Sequence, residues 1–309
     1  MIQRLALVLT LLLACCGPAP TGTRVDPVLA ALAPPDAVML AGVRMDAVRP
    51  TALYQKLLAG KLLDQLDDFA RETGFDPRRD VREILAASNG RDTIIAARGT
   101  FNVRAPEGAT KTSYKGYTLY LGERGGVGLI DGSTAVAGEL AAVKAALDRY
   151  KAGDRSGPSE LLARARQIPP ENQVWAVSSG YSSALAGRIP ESGNAANIGR
   201  MLQAVEKVTA GADLHAGFNA YAEGVCATDQ DAKNLGDTVR GLAGLGRLSV
   251  PKNQPDLLRV WDGIKVEQAQ RTIRVTVVVP EDLAEKLIDQ IGSQRGTPRL
   301  PVRRETANR

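Results

Sequence analysis

Residues 126–150 read GVGLIDGSTAVAGELAAVKAALDRY, and this stretch indicates how the chain folds. Two apolar segments flank Asp131-Gly132, a dipeptide typical of a tight β-hairpin turn. The apolar residues then change to helical spacing, which predicts a helix from Glu139 to about Tyr150. Its predicted inner side carries Leu140, Val143, Leu147 and Tyr150. A hairpin that leads into an amphipathic helix is typical of antiparallel α+β structure.

The same pattern occurs again near the end of the chain. Residues 278–288, VVPEDLAEKLI, follow the order of residues 136–147: strand, Gly or Pro, Glu, amphipathic helix. The apolar strands at 36–44 and 172–180 also match. The two offsets are similar: 136 positions from Val38 to Val174 and 142 from Glu139 to Glu281. We therefore predict an α+β fold of two similar halves, each an antiparallel sheet with helices packed on one face. The sequence leaves open whether the halves form one core or two.

Between these anchors the pattern predicts shorter elements. Residues 80–88, DVREILAAS, are predicted to form a helical turn or two, and YKGYTLYLG at 114–122 to form a strand. In the second half a helical segment is predicted to continue through Val205. Strands follow up to Cys226, and a hairpin is predicted over residues 263–279.

The N-terminus has the features of an export signal. Arg4 is followed by an apolar run from Leu5 to Ala14, which is far shorter than the ~20 residues that span a bilayer. Leu12-Leu13-Ala14-Cys15 resembles the lipobox of bacterial lipoproteins. The resemblance implies that the Cys15 thiol receives a diacylglyceryl group, that acyl chains such as palmitate anchor the protein, and that the chain is cut before Cys15.

Other interpretations of the adjacent cysteines are weaker. A disulfide between Cys15 and Cys16 would be strained, and a metal site lacks further ligands nearby. Cys16 fits the lipidated position less well, because it would place Cys15 where the peptidase prefers a small residue. An ordinary secretory signal with cysteines by chance remains the alternative to the lipoprotein signal. No metal or cofactor is predicted.

The chain divides into segments of different composition. We predict a signal peptide at 1–14, a lipidated tether at 15–26, α+β halves at 27–151 and 171–292, a linker with a short helix at 152–170, and a disordered basic tail at 293–309. The predicted location is the cell envelope. The residue after Cys15 is not Asp, which by resemblance to the sorting pattern favours the outer membrane in a host with two membranes.

The net charge of +5 comes from the two ends of the chain. Arg4 leaves with the signal peptide, and the tail from Arg295 onward has a net charge of +4, so residues 5–294 have a net charge of zero. A neutral body lacks the broad cationic face that phosphate contacts require, and nucleic-acid binding is therefore excluded. The predicted partner is a membrane, reached through the anchor.

The remaining cysteine and the one histidine are predicted to have no catalytic role. In LHAGFNAYAEGVCA the apolar residues alternate, which predicts that Cys226 is buried and inert and that His215 lies on the surface. Gly180-Tyr181-Ser182-Ser183-Ala184 resembles a nucleophile elbow, but its fifth residue is not glycine. No acidic partner is obvious between Ser182 and His215.

Two further motifs have structural explanations. Thr228-Asp229-Gln230-Asp231 lacks the ligands of an EF-hand and predicts a helix cap instead. Gly126-Val127-Gly128 belongs to a hairpin and does not open a helix, as a dinucleotide loop would.

The succession TSYKGYTLY, GLIDGSTAVAGELAAVKAALDRYKAG and SELLARARQIPPENQVWAV resembles an uncharacterised domain family of bacterial exported proteins. The resemblance covers most of residues 34–290 and implies duplicated α+β halves, without an activity or a catalytic residue. We therefore expect a lipid-anchored, non-enzymatic protein that binds a partner. The alternatives are a serine hydrolase that uses Ser182, and a carrier of an apolar ligand between the two halves.

Overall fold

The computed structural model of the chain describes residues 22–60, 65–105, 108–123, 125–180, 199 and 201–295. Three predicted features lie outside these residues: the lipobox with Cys15 and Cys16, Ser182, and the tail beyond residue 295. The prediction of a lipidated, exported protein is therefore not tested by the fold.

The described strands all belong to one antiparallel sheet. Their bounds are β1 Met39–Arg44, β2 Val81–Ser88, β3 Thr93–Gly99, β4 Thr110–Tyr114, β5 Tyr117–Gly122, β6 Gly125–Asp131, β7 Thr134–Gly138, β8 Val174–Ser179, β9 Val205–Asp213, β10 Phe218–Cys226, β11 Ile264–Ala269 and β12 Thr272–Val279. The sheet has 12 strands in the order β11-β12-β10-β9-β8-β1-β2-β3-β7-β6-β5-β4.

Helices connect these strands and close each half. The described helices are α1 Pro27–Leu32, α2 Met45–Val48, α3 Ala52–Ala59, α4 Gln65–Thr73, α5 Pro77–Asp80, α6 Leu140–Lys151, α7 Ser159–Ala165, α8 Asp229–Leu248, α9 Pro255–Asp262 and α10 Glu281–Arg295. The α+β class with antiparallel pairing is confirmed, as are the helix after Glu139 and the hairpin over residues 263–279.

The two predicted sheets are one sheet, which corrects that part of the prediction. β1 pairs with β8 in antiparallel register, with Leu40 opposite Val177 and Gly42 opposite Trp175. Each of these strands begins its half, and each is apolar on both faces. A strand of that kind gains more from a partner on either side than from lying at an edge.

The sheet has two differently covered faces, which we call the Leu40 face and the Val43 face. On the Leu40 face Leu40, Leu85, Trp175 and Val177 pack under α1, α6 and α7. On the Val43 face the first half is covered by the connection from α2 to α5. The second half is covered there by α8, α9 and α10. Helices therefore lie on both faces of the sheet.

The halves share the path of their strands but not the position of their last helix. In both, the chain passes outward through three strands and later returns through a hairpin, whose second strand pairs with the third strand. However, α6 packs on the Leu40 face with Val143 and Leu147, whereas α10 packs on the Val43 face with Leu283. The similarity of the two halves therefore stays a prediction.

Some predicted elements were wrong. Residues 81–88 of DVREILAAS form the central strand β2 instead of a helical turn, and only Pro77–Asp80 before them is helical. The strand predicted over residues 114–122 is confirmed from Tyr117 to Gly122 as β5, and Lys115 and Gly116, which both have positive φ, join it to β4 in a hairpin. Such a turn suits the twist of a two-residue hairpin. Val205 begins β9 and is not helical.

The segments predicted as tether and linker contribute to the core. The backbone N–H of Thr23 donates to the Ile168 carbonyl at 2.8 Å, and Thr23 is 1% exposed. Leu161 and Ile168, within the segment 152–170, are buried beneath the sheet. The chain is therefore already packed against the rest of the fold at Thr23, inside the segment that was predicted to be a tether.

Gly42 lies at the seam between β1 and β8, opposite Trp175. A Cβ added at Gly42 would overlap the Trp175 indole. We expect Gly42→Ala to lower the free energy of unfolding by about 1–3 kcal/mol, because the seam must shift to admit the methyl group. Urea unfolding would measure this, with Gly122→Ala as the control, since a Cβ there meets no atom within 4 Å. An equal loss of unfolding free energy in the two variants would contradict close packing of Gly42 against Trp175.

Candidate functional site: an apolar cavity between the two halves

An apolar cavity of about 420 Å³ lies on the Val43 face, where α3 of the first half meets α10 of the second. Its volume is within the range of about 300–1,000 Å³ that is usual for ligand pockets. The lining residues are Val48, Leu53, Tyr54, Leu57, Leu214, Phe218, Val279, Ala284, Leu287 and Ile288. The wall is almost entirely carbon.

The spacing of these residues explains how the cavity forms. Leu53 and Leu57 are four residues apart on α3, and Ala284, Leu287 and Ile288 share one side of α10. Two helices therefore present apolar sides to one another.

Residues at one end of strands β10 and β12 complete the cavity wall between α3 and α10. Phe218 and Val279 are direct cross-strand partners on β10 and β12. Leu283 is fully buried and Leu53 is 6% exposed, whereas Phe218 is 38% exposed. The cavity therefore reaches the surface at Phe218.

One ion pair connects the two helices of the cavity. Lys56 Nζ lies 2.9 Å from Asp289 Oδ2, and each residue is adjacent in the chain to a lining residue. The hydrogen bond to Asp289 raises the pKa of Lys56. Since both side chains are partly exposed, the pair adds little to stability and can separate without a large cost.

Two polar atoms near the cavity are buried and have no hydrogen-bond partner among the described residues. They are the hydroxyl of Tyr54, a lining residue that is 7% exposed, and Nη2 of Arg49. Burial raises the pKa of Tyr54, and the positive charge of Arg49 opposes that shift. The phenol is therefore neutral and able to donate one hydrogen bond.

The lining residues lack the groups that hydrolysis or transfer would require. Apart from Tyr54, every lining side chain is a hydrocarbon. A nucleophile needs a base within hydrogen-bond reach, and the cavity wall holds no such pair. The arrangement is suited to binding an apolar molecule.

The histidine and its surroundings were only partly predicted. His215 is exposed, as expected, and its Nδ1 lies 2.7 Å from Asp213 Oδ1. The sequence analysis did not identify this acidic partner. The Gln173 amide also contacts the imidazole, which places the pair beside the start of β8. Gly180, the last described residue before Ser182, lies at the other end of that strand, roughly 20 Å away at about 3.3 Å per residue.

Cys226 is fully buried, as predicted, and its thiol is free. Burial raises its pKa, which keeps the thiol protonated and unreactive. The helix cap predicted at Thr228 is also confirmed, since its hydroxyl accepts a hydrogen bond of 3.1 Å from the Asp231 backbone. Gly126 and Gly128 lie in β6, in the hairpin that was predicted for them.

The described residues provide neither a metal-ligand cluster nor a membrane-spanning helix. No group of three or more His, Cys, Asp and Glu side chains there is placed to share a metal ion. Within the same residues, no helix is both long enough and apolar enough to cross a membrane.

A second apolar feature lies at the end of α8. Leu242, Leu245 and Leu248 are spaced three residues apart and are 45%, 62% and 81% exposed. They form an open ridge, whereas the cavity between α3 and α10 has walls on several sides. The cavity, which is open at Phe218, can surround part of a small ligand, whereas the ridge offers only an exposed surface.

No protein-family model matches this chain. No curated protein matches it either. Three crystal forms of TP0453 are similar in structure at 11% sequence identity, each over 87% of this chain. Form I gives a TM-score of 0.46 over 98% of that chain, form III 0.48 over 99%, and form IV 0.42 over 97%. The resemblance to an exported-protein domain family stays a prediction.

Proposed function

We propose that this protein is a lipid-anchored, non-enzymatic protein of the cell envelope that binds an apolar chain in the cavity between α3 and α10. The observation that carries the proposal is the wall of that cavity, which is almost entirely carbon and combines residues of both halves. Transfer of apolar surface out of water contributes about 25 cal/mol per Å², so a hydrocarbon chain would be the favoured occupant.

The proposed anchor supports this assignment. Two or three acyl chains on Cys15 would hold the protein at a membrane essentially permanently, because each buried methylene contributes about 0.8 kcal/mol. The seven peptide steps from Cys15 to Gly22 reach at most about 25 Å. The cavity would then remain close to a supply of lipids, with the outer membrane favoured in a host with two membranes.

The alternative of a serine hydrolase has less support. Ser182 lies outside the described residues, while the His215–Asp213 pair lies at the opposite end of β8 from Gly180. The cavity itself presents no nucleophile and base. Binding of an apolar molecule explains the carbon-lined cavity, whereas a serine hydrolase would leave the cavity unexplained.

Titration with an uncharged fluorescent probe would test the binding role. The chain from residue 16 onward contains every described residue and lacks the acylated cysteine. We expect N-phenyl-1-naphthylamine to bind it saturably at one site per chain, with the fluorescence increase of an apolar environment. A linear response without saturation would contradict the proposed cavity ligand.

A further inference from the structure

We propose that a second pocket, formed by α1, α7 and the segment before α7, binds the phosphate group of a phosphate ester through Arg155 and Arg166. The pocket has a volume of about 280 Å³ and a wall that is partly polar. It shares no lining residue with the apolar cavity between α3 and α10. The inference therefore concerns a separate site and does not depend on the ligand proposed for that cavity.

The local sequence places polar and apolar side chains together in this pocket. Ser159, Leu162 and Arg166 are three and four residues apart, which puts them along one side of α7 and the turn after it. Pro27 and Ala30 of α1 contribute apolar wall. The pocket therefore offers hydrogen-bond donors beside hydrocarbon surface.

The segment before α7 lies directly against α1. Gly157 has a φ of 53°, and a Cβ there would lie 2.6 Å from the Ala30 carbonyl oxygen. Glycine adopts such a backbone conformation without the steric penalty of a side chain. This close approach brings Arg155 and Ser156 to the pocket wall.

Arg155 is held in place and keeps donors for a ligand. Its Nη1 donates to the carbonyls of Tyr150 and Asp154 at 2.9 and 3.1 Å, and its guanidinium carbon lies 4.1 Å from the centre of the Tyr150 ring. These contacts leave Nε and Nη2 without a hydrogen-bond partner among the described residues. The guanidinium is therefore positioned but forms no ion pair within that part of the chain.

Arg166 and Ser159 supply the other donors. Both line the pocket and both are exposed, so a ligand in the pocket can reach them. Among the described residues, neither side chain has a hydrogen bond or an ion pair with another group. The charge of Arg166 is thus available to an anion from outside the protein.

The acidic residue next to Arg155 is engaged elsewhere. Asp154 Oδ1 accepts hydrogen bonds from the backbone N–H and the hydroxyl of Ser156 at 2.9 and 2.7 Å. These bonds lower the pKa of Asp154, so it is ionised, but it does not line the pocket. None of the described residues that line the pocket is acidic. The two guanidinium groups therefore outnumber the one carboxylate beside them.

The donors favour a phosphate ester over other anions. Guanidinium groups form paired hydrogen bonds with phosphate oxygens, and the Ser159 hydroxyl can donate another. A phosphate monoester carries about two negative charges near pH 7 and has three free oxygens, which matches two guanidinium groups and a hydroxyl. A carboxylate has one charge and two oxygens. The apolar wall favours an ester with a hydrocarbon group over inorganic phosphate.

The position of the pocket makes a membrane lipid one source of this group. Val25 lines the pocket, and the ten peptide steps from Cys15 to Val25 reach at most about 35 Å. With the proposed anchor on Cys15, a phospholipid headgroup would lie within reach. A soluble phosphate ester offers the same chemistry.

Isothermal titration calorimetry with matched ligands tests the class of ligand. With the chain from residue 16 onward at about pH 8, we expect hexyl phosphate to bind at least about tenfold more tightly than hexanoate or inorganic phosphate. Equal affinity for hexyl phosphate and hexanoate would overturn the phosphate assignment.

Variants of the two arginines test the site. Arg155→Gln and Arg166→Gln should each weaken binding of hexyl phosphate at least about tenfold, with thermal unfolding unchanged. Arg71→Gln removes the same charge from an exposed arginine of α4 and should keep the wild-type affinity. An unchanged affinity in both pocket variants, or an equal loss in all three, would overturn the assignment.

Ala284→Trp separates this inference from the proposed function. The change fills the apolar cavity, so it should abolish binding of N-phenyl-1-naphthylamine and leave binding of hexyl phosphate unchanged. Loss of hexyl phosphate binding in Ala284→Trp alone would place the ester in the apolar cavity and contradict the second pocket. A wild-type protein that binds hexyl phosphate but not the probe would contradict only the proposed function.

Flotation with phosphatidylcholine vesicles, with and without phosphatidic acid, distinguishes the two sources. If phosphatidic acid recruits the wild type but not Arg155→Gln or Arg166→Gln, the source is a lipid headgroup. If hexyl phosphate binds and phosphatidic acid recruits all three proteins equally or none of them, the pocket serves a soluble ester.

Discussion

Replacement of Cys15 by alanine is expected to move the protein from the membrane fraction to the soluble fraction. The change removes the sulfur that would carry the acyl chains. Each buried methylene of those chains contributes about 0.8 kcal/mol, so the expected effect is close to complete. The described helices provide no membrane span that could replace the anchor. Fractionation followed by immunoblotting would measure the change.

The neighbouring cysteine provides the control for this experiment. Cys16→Ala should leave the protein in the membrane fraction, because the lipobox resemblance assigns the thioether to Cys15. A soluble Cys16→Ala variant would show that the other sulfur is modified. Retention of both single variants in the membrane fraction would contradict a lipid anchor on either cysteine.

Replacement of Ala284 by tryptophan is expected to abolish binding of the apolar probe. Ala284 is 7% exposed and lines the cavity from α10, so an indole at this position would occupy the space of the ligand. Overpacking of this kind typically costs about 1–3 kcal/mol of stability, which an otherwise intact domain should tolerate. Titration with N-phenyl-1-naphthylamine and urea unfolding would separate the loss of binding from unfolding.

Lys286→Trp is the matched control on the same helix. Lys286 is exposed, and its ammonium lies 3.7 Å from Asp256 of α9, on a side of α10 away from the lining residues. The control introduces the same side chain without filling the cavity, and probe binding should be retained. If both variants bound the probe as the wild type does, the cavity between α3 and α10 would not be the binding site.

The sequence predicts those elements whose pattern is local. Asp131-Gly132 and the alternating residues around it predict the β6–β7 hairpin, and the structure pairs Asp131 with Thr134. Helix α6 follows from the spacing of Val143 and Leu147, both fully buried. The cap at Thr228 needs only residues within one turn.

Elements buried on both faces were harder to predict. In β2, Leu85 and Ala87 pack on the Leu40 face while Ile84 packs on the Val43 face. The segment therefore shows no alternation between apolar and polar residues, and its pattern is ambiguous between a helix and a strand. The pairing of β1 with β8 likewise depends on both halves and has no local signal.

The site depends on contacts between distant segments. The apolar sides of α3 and α10 are visible in the sequence as separate patterns, and an apolar ligand between the halves was one of the functional hypotheses. Nothing in the sequence pairs Leu53 with Ala284 across the cavity. The contact of Asp213 with His215 depends on a local turn, which the alternating pattern of residues 214–226 does not predict.

Native mass spectrometry of the protein purified from its own host, in mild detergent, tests the central claim most directly. We predict a bound species beyond the mass of the acylated chain, released on collisional activation as a lipid and absent from Ala284→Trp. Wild-type protein that carries no such species, or an Ala284→Trp variant that carries it equally, would contradict the account.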